Sequence, residues 1–369
     1  MTPRERMRAA LSGGRPDRVP FFPCIFTDHA CVALGHTFEE ALVNPRLGVR
    51  WTVEAGYFYG CDAVRVRVMP ERSWFEEKEV RLNEGKLAQV DRCTGRVDGY
   101  FDVQGGGQLM LLNPPPPVRT IEEIEAIVYP TADQLLATGC LDAAREMTCE
   151  AHERDLFVVG MAGAQTINTL VARVGVSEDA LMLLATDPLF VHRMFRMATD
   201  ASIETITALA QVGVDGVYIG DSYASGSVVS PRMYRELCIP AYRRAADAAH
   251  ALGLLVYQHC CGNYNPLLPL MDGNHLDGME GMDPTSGMTV ARTREATNGR
   301  LCLIGGVSCL SLLQARPEQV YAEAMDCIRA GGTDGRFVLG SACAVPRYTP
   351  IENMQALARA TMESARLCP

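Results

Sequence analysis

Gln258-His259-Cys260-Cys261-Gly262 is the stretch of this sequence whose residue types most plainly offer chemistry. It follows Leu254-Leu255-Val256-Tyr257, an apolar run that reads as a buried strand. On an extended strand, residues two apart project to the same side, so His259 and Cys261 point together and Cys260 turns aside. An imidazole nitrogen and a thiolate sulfur aimed at one point suit a zinc ion. Two ligands do not make a site. Cys343 supplies a third, just past the apolar run Phe337-Val338-Leu339, and Glu280 a fourth, at the end of Leu276-Asp277-Gly278-Met279-Glu280. Each piece follows a predicted strand, where parallel barrels keep their catalytic groups. One nitrogen and two sulfurs, with an exchangeable oxygen in the fourth place, describe a catalytic rather than a closed structural site. Two thiolates leave zinc electron-rich, better fitted to carry a substrate thiolate than to ionise water, and a thiolate is the nucleophile that methyl transfer to sulfur needs. Glu280 either leaves the metal as the thiol arrives or takes its proton. Asp221 and Asp283, also just after strands, could substitute for Glu280, and Cys260 is an alternative ligand.

These side chains need a scaffold, and the chain alternates in a way that supplies one. Strand-like runs begin near 21, 62, 156, 214, 254, 276, 301 and 336, with helical stretches in nearly every interval. Eight alternating units predict an α/β fold of the (β/α)8 TIM-barrel type, a single domain over 1–369. Asp62-Ala63-Val64-Arg65-Val66-Arg67-Val68 places its valines toward the helices and Arg65 and Arg67 toward the interior. Those arginines either form an internal ion pair or hold an anionic group of a substrate. After this second strand, short strand-like pieces (80–82, 87–90, 100–103) separated by Asn-Glu-Gly and Thr-Gly-Arg turns predict a small β-meander, an insertion over 72–118 ending at Gly105-Gly106-Gly107. Pro114 to Pro117 forms a stiff connector. Thr120-Ile121-Glu122-Glu123 and Thr349-Pro350-Ile351-Glu352 read as capping boxes, Ser177 to Gln211 as helical, and the helix opened by Ser230-Pro231 breaks near Pro240.

Composition narrows the function classes. The net charge of the 369 residues is −10 and no Lys/Arg-rich block appears, so nucleic acid and anionic membranes are poor partners. The charged N-terminus lacks a signal-peptide core and no apolar run reaches the roughly 20 residues that span a bilayer, so a soluble, cytoplasmic protein is expected. The 14 cysteines are scattered without a CxxC pair, against a disulfide framework. Most, Cys24 and Cys309 among them, read as small buried hydrophobes. No glycine-rich nucleotide fingerprint is present. The acidic, apolar-rich composition permits a homodimer.

Several segments carry a family resemblance. Asp221-Ser222-Tyr223-Ala224-Ser225, Ser230-Pro231-Arg232-Met233-Tyr234, Pro240-Ala241-Tyr242, Asp17-Arg18-Val19-Pro20, His259-Cys260-Cys261-Gly262-Asn263, Gly305-Gly306-Val307 and Thr349-Pro350-Ile351-Glu352-Asn353 together resemble the uroporphyrinogen decarboxylase superfamily. The resemblance covers nearly the whole chain and implies a (β/α)8 barrel. The decarboxylases proper carry an R-Q-A-G-R loop after the first strand, where this chain has Pro23-Cys24-Ile25-Phe26-Thr27-Asp28-His29, without arginine. The H-x-C … C order instead is similar to the zinc-dependent corrinoid methyltransferase branch, which includes methylcobamide:coenzyme M methyltransferases, and to cobalamin-independent methionine synthase. The resemblance implies zinc on His259, Cys261 and Cys343, with Glu280 by analogy to the synthase alone. Tyr223, with Arg65 and Arg67, is a candidate for substrate binding. No D-x-H-x-x-G corrinoid segment is present. A corrinoid such as methylcobalamin is therefore expected as a free co-substrate or on a separate partner protein.

The sequence thus points to a zinc-dependent methyltransferase acting between a corrinoid and a small thiol or other small-molecule donor or acceptor. A metal-independent, decarboxylase-like lyase using Arg65, Arg67 and Asp221 on a carboxylated substrate is the rival. A non-catalytic, zinc-stabilised protein is the third reading.

Overall fold

A computed structural model describes residues 1–332 and 334–367. Eleven strands follow one another in the described residues: β1 (Ala63–Arg67), β2 (Lys78–Asn83), β3 (Lys86–Asp91), β4 (Val97–Asp102), β5 (Gln108–Leu111), β6 (Phe157–Met161), β7 (Gly216–Gly220), β8 (Leu255–Cys260), β9 (Gly278–Gly281), β10 (Cys302–Val307) and β11 (Phe337–Ser341). Seven form one parallel sheet in the order β1-β6-β7-β8-β9-β10-β11, and helices occupy the crossovers. The fold is α/β and TIM-barrel-like.

The predicted first strand at Phe21–Phe26 is not a regular strand. Pro20 and Pro23 lack the N–H that a ladder needs, so the segment makes only isolated parallel bridges, Phe21 to Leu339 and Cys24 to Ala344. It still joins the two open edges of the sheet. On one side Phe22 N–H donates to Leu339 O at 2.8 Å, and on the other Asp62 N–H donates to Phe21 O at 2.8 Å.

The sheet separates two apolar layers, as the period-2 alternation requires. Val64 and Val66 pack outward with the helices, while Ala63, Phe157, Val159, Tyr257 and Ile304 fill the interior. The N-terminal helix, Pro3–Leu11, plugs the end opposite the candidate site with Met7, Ala10 and Leu11. Three aspartates that directly precede strands fix this end. Asp62, Asp215 and Asp277 accept the backbone N–H of Phe21 (2.7 Å), Val158 (2.9 Å) and Val256 (2.7 Å) across the sheet. Arg6 and Arg18 reach Asp62, Arg4 and Arg8 reach Asp215, and His250 reaches Asp277.

Several expected elements change at prolines. The helix expected from Ser177 to Gln211 is two, Ser177–Thr186 and Pro188–Val212, because Pro188 cannot donate and Asp187 caps the second helix through Phe190 N–H. Near Pro240 the break is a π-turn at Tyr234–Cys238, which absorbs the missing donor. Thr120 and Glu123 form the expected capping box, whereas Pro350 itself occupies the N-cap of the last helix and Thr349 caps nothing. Between β1 and β6 stands an antiparallel sheet, β2-β3-β4-β5, of four strands rather than three. Gly105-Gly106-Gly107 is the turn before β5, not the end of the sheet. No helix of the described residues is long and apolar enough to cross a membrane.

Candidate metal centre

β8 delivers His259 near its end and Cys261 one residue beyond it, while Cys260 turns away and is fully buried, its thiol directed to Gln258 O. Cys343 comes from the loop two residues past β11. The Cys261 and Cys343 sulfurs lie 3.3 Å apart, Cys343 Sγ is 3.5 Å from His259 Nε2, and Cys261 Sγ contacts the same nitrogen. Tetrahedral zinc, with Zn–S about 2.3 Å and Zn–N about 2.0 Å, holds such donors roughly 3.5–3.8 Å apart. The three residues therefore fit a metal with little rearrangement, and the half-buried cysteines leave a side open to ligand.

Glu280 sits elsewhere than with the sulfurs. In the parallel register His259 pairs with Glu280, so the two side chains project side by side. Glu280 accepts from His259 Nδ1 at 2.8 Å, on the ring edge away from the cysteines. Its other oxygen is held by Arg65, which reaches across the interior from β1 and also donates to Pro23 O at 2.8 Å and lies over the Phe22 ring. Burial pushes the Glu280 carboxyl up, but the Arg65 guanidinium and His259 outweigh it and hold it below the usual carboxylate range. Burial likewise opposes the His259 charge, yet the hydrogen bonds to Cys343 and Glu280 raise its pKa to about 9. The hydrogen bond from Cys261 brings the Cys343 thiol down to about 4 against burial, with His259 adding to the effect, and Cys261 is raised in turn. One thiolate is thus preformed, a property of metal-binding and nucleophilic cysteines.

Cys24, His259 and Glu280 form a second, overlapping donor cluster. Burial pushes the Cys24 thiol far above its ordinary value and Glu280 is already engaged by Arg65, so this cluster is the poorer ligand set. Sequence reasoning missed Cys24. Its proximity to the site follows from its bridge to Ala344, beside Cys343.

Asp221 and Tyr223 lie on the loop after β7 and make no hydrogen bond to His259, Cys261 or Cys343 among the described residues. The fully buried Asp221 carboxylate takes the backbone N–H groups of Thr166 and Asn168, both at 2.9 Å, and the Thr166 hydroxyl. It caps the helix Ile167–Val174. Tyr223 is at the rim, 38% exposed, its N–H on Asn168 Oδ1. Burial raises Asp221 from 3.8 to about 6 despite these hydrogen bonds. The folded state therefore binds this proton more tightly than the unfolded chain, and ionising the group at pH 7 costs about 3 kcal/mol. The contribution is fully favourable below the unfolded value and is lost as pH rises through about 6. Wild type should accordingly gain stability relative to Asp221→Asn as pH falls from 7 to 5, read from denaturant unfolding at each pH. A pH-independent difference would contradict the assignment.

The profile of the uroporphyrinogen decarboxylase (URO-D) family matches residues 113–364. The chain belongs to this family. A methylated-thiol–coenzyme M methyltransferase of Methanosarcina mazei is 31% identical over 197 residues, 53% of this chain and 51% of that protein, so the match spans about half of that relative. The methylcobamide:CoM methyltransferase MtaA of Methanosarcina barkeri is 24% identical over 375 residues, 98% of each chain. Among solved structures, a methyltransferase from Methanosarcina mazei superposes with a TM-score of 0.73 at 24% identity, covering 98% of this chain and 99% of that one. That likeness establishes the fold.

Proposed function

We propose that this URO-D family protein is a zinc-dependent methyltransferase that moves a methyl group between a corrinoid and a small thiol. The observation that carries the reading is the convergence of His259 Nε2 with the sulfurs of Cys261 and Cys343 at one point of the barrel mouth. The names of two relatives, both thiol-directed methyltransferases, support it. Zinc bound by these three residues would hold a substrate thiol as its thiolate at neutral pH.

The remaining work falls to the chain itself. Glu280 accepts the Nδ1 proton of His259, which fixes the tautomer and turns Nε2 toward the cysteines. In this reading Glu280 is a positioning residue rather than a fourth ligand, and the fourth place belongs to the substrate. Arg65 keeps Glu280 ionised and in place. Tyr218, its ring 5.8 Å from the His259 ring, walls the imidazole on one side. The corrinoid comes free, as methylcobalamin, or on a separate protein. The barrel and residues 72–118 are read as one domain.

The lyase alternative needs Arg65, Arg67 and Asp221 free for a carboxylated substrate, and of these Arg67 alone has no carboxylate or amide partner among the described residues. Arg65 is taken up by Glu280 and Pro23 O, and Asp221 by helix amides, so the geometry does not favour it. The reading is tested by following methylcobalamin absorbance anaerobically with zinc-replete protein and a panel of small thiols. Thiol-dependent demethylation that stops on chelation and returns with zinc is expected. No demethylation with any thiol, or turnover indifferent to chelation, would overturn it.

A further inference from the structure

The register of the parallel sheet brings one more polar group to the metal centre. Tyr218 pairs with Tyr257, and Gly220 with His259, across β7 and β8. Residues two apart on a strand share a face, so Tyr218 and Gly220 both look into the barrel, Tyr218 one step deeper than the imidazole. Gly220 has no side chain, and the Tyr218 ring rises into the space this leaves. A Cβ on Gly220 would lie 2.6 Å from the Tyr218 hydroxyl oxygen. The phenol therefore ends at the level of His259, with the two rings 5.8 Å apart and tilted by 35°. We propose that Tyr218 is a catalytic residue of this site, its O–H donating a hydrogen bond to the sulfur of the bound substrate. That the acceptor is sulfur rests on the thiol-transfer reading; the placing of the donor rests on the strand geometry alone.

The hydroxyl is free to do this. Among the described residues it makes no hydrogen bond. Tyr257 beside it also lacks a partner for its hydroxyl, but that oxygen is sealed in the barrel. Tyr218 is half-buried, as are Met161, its partner on β6, and Gly220 above it. Val159, Tyr257 and Ile304, which fill the interior below, are fully buried. The barrel is thus closed beneath Tyr218 and open above it, on the side of His259. Burial, and after it Cys24, Glu280 and Tyr257, pushes the phenol well above the usual tyrosine range against the pull of Arg65, so the group stays a donor.

The chemistry follows from the acceptor. A small thiol that binds beside His259 gives its proton to solvent, and the electron pair stays on sulfur. The Tyr218 O–H donates to that sulfur and keeps its own proton. A hydrogen bond to a charged acceptor is stronger than one to a neutral acceptor, so the donor favours the thiolate over the thiol and the bound sulfur ionises at lower pH. A hydroxyl drawn out of water without an acceptor is unfavourable, and the arriving thiolate removes that cost. Phenylalanine at 218 would wall the imidazole equally well but would donate nothing.

Isothermal titration of the zinc-loaded protein with ethanethiol, whose sulfur is its sole polar atom, tests this. Repeated in buffers of different ionisation enthalpy over a range of pH, it also counts the protons released on binding. Tyr218→Phe should bind ethanethiol about 10-fold more weakly at neutral pH and move the midpoint of proton release upward by about one pH unit. Gly220→Ala should do the same although it keeps the phenol, because the added Cβ displaces the hydroxyl. Both variants should retain their zinc, and Tyr218→Phe should melt with wild type, since its hydroxyl has no partner to lose. An unchanged affinity and midpoint in Tyr218→Phe would overturn the proposal and leave the thiol reading standing. Lost zinc or a lowered melting temperature in Tyr218→Phe would make the hydroxyl structural and overturn it too. Zinc-loaded wild type that binds no thiol would overturn the thiol reading and the proposal with it.

Discussion

Replacing Cys343 by serine should abolish zinc retention and methyl transfer while leaving the fold intact. Cys343 lies on a loop beyond β11, half-buried, and is not a member of either buried core cluster. Its contacts are with Cys261 and His259, the other two donors. Removing one thiolate leaves two protein ligands, fewer than the three that hold a catalytic zinc. The expected outcome is metal content falling from near one per chain to near zero, at least a 1,000-fold loss of transfer (about 4 kcal/mol), and a far-ultraviolet spectrum like that of wild type. Cys261→Ser should behave alike, whereas Cys260→Ser, at a sulfur turned into the core, should keep its zinc. Metal analysis and circular dichroism of the three variants side by side decide this, and full zinc retention in Cys343→Ser would contradict it.

The second large effect is expected at Arg65. Arg65→Met leaves the Glu280 carboxylate buried across the barrel without its guanidinium. Breaking a buried pair on one side destabilises by about 3–5 kcal/mol, because the surviving charge is uncompensated. Glu280→Gln in the Arg65→Met background removes that charge and should recover much of the loss, a strong non-additivity of the kind contacting residues show. Glu280→Gln alone should weaken metal affinity by about 10- to 100-fold through the loosened His259, without abolishing it. Denaturant unfolding of the two single variants and the double variant measures the coupling. An Arg65→Met protein as stable as wild type would show that the ion pair contributes nothing.

The centre was legible in the sequence because its signal is local. His259 and Cys261 alternate on one strand, and Cys343 follows another apolar run at the same end of its unit. Period-2 alternation likewise placed Arg65 and Arg67 inside. What stayed hidden depends on neighbours across the sheet. Glu280 meets His259 because the register pairs them, which no spacing along the chain reveals. Asp221 follows a strand like a catalytic acid, but the amides of Thr166 and Asn168, more than fifty residues away, take up its carboxylate. Pro20 and Pro23 were visible, and their missing donors explain why the eighth place in the ring is filled by bridges rather than by a strand. The aspartates before β1, β7 and β9 recur in one local pattern, Asp62-Ala63-Val64, Asp215-Gly216-Val217 and Asp277-Gly278-Met279, whose meaning appears only when each carboxylate meets a backbone N–H of the preceding segment of the sheet.

The central claim is that His259, Cys261 and Cys343 hold a zinc whose remaining place takes the substrate thiol. X-ray absorption at the zinc edge, with and without a small thiol, tests it most directly. Two sulfur scatterers and one imidazole nitrogen in the resting protein, becoming three sulfurs and the same nitrogen when the thiol is added, is the predicted result. A zinc shell unchanged by any thiol that the protein binds, or protein that takes up no zinc, would contradict the account.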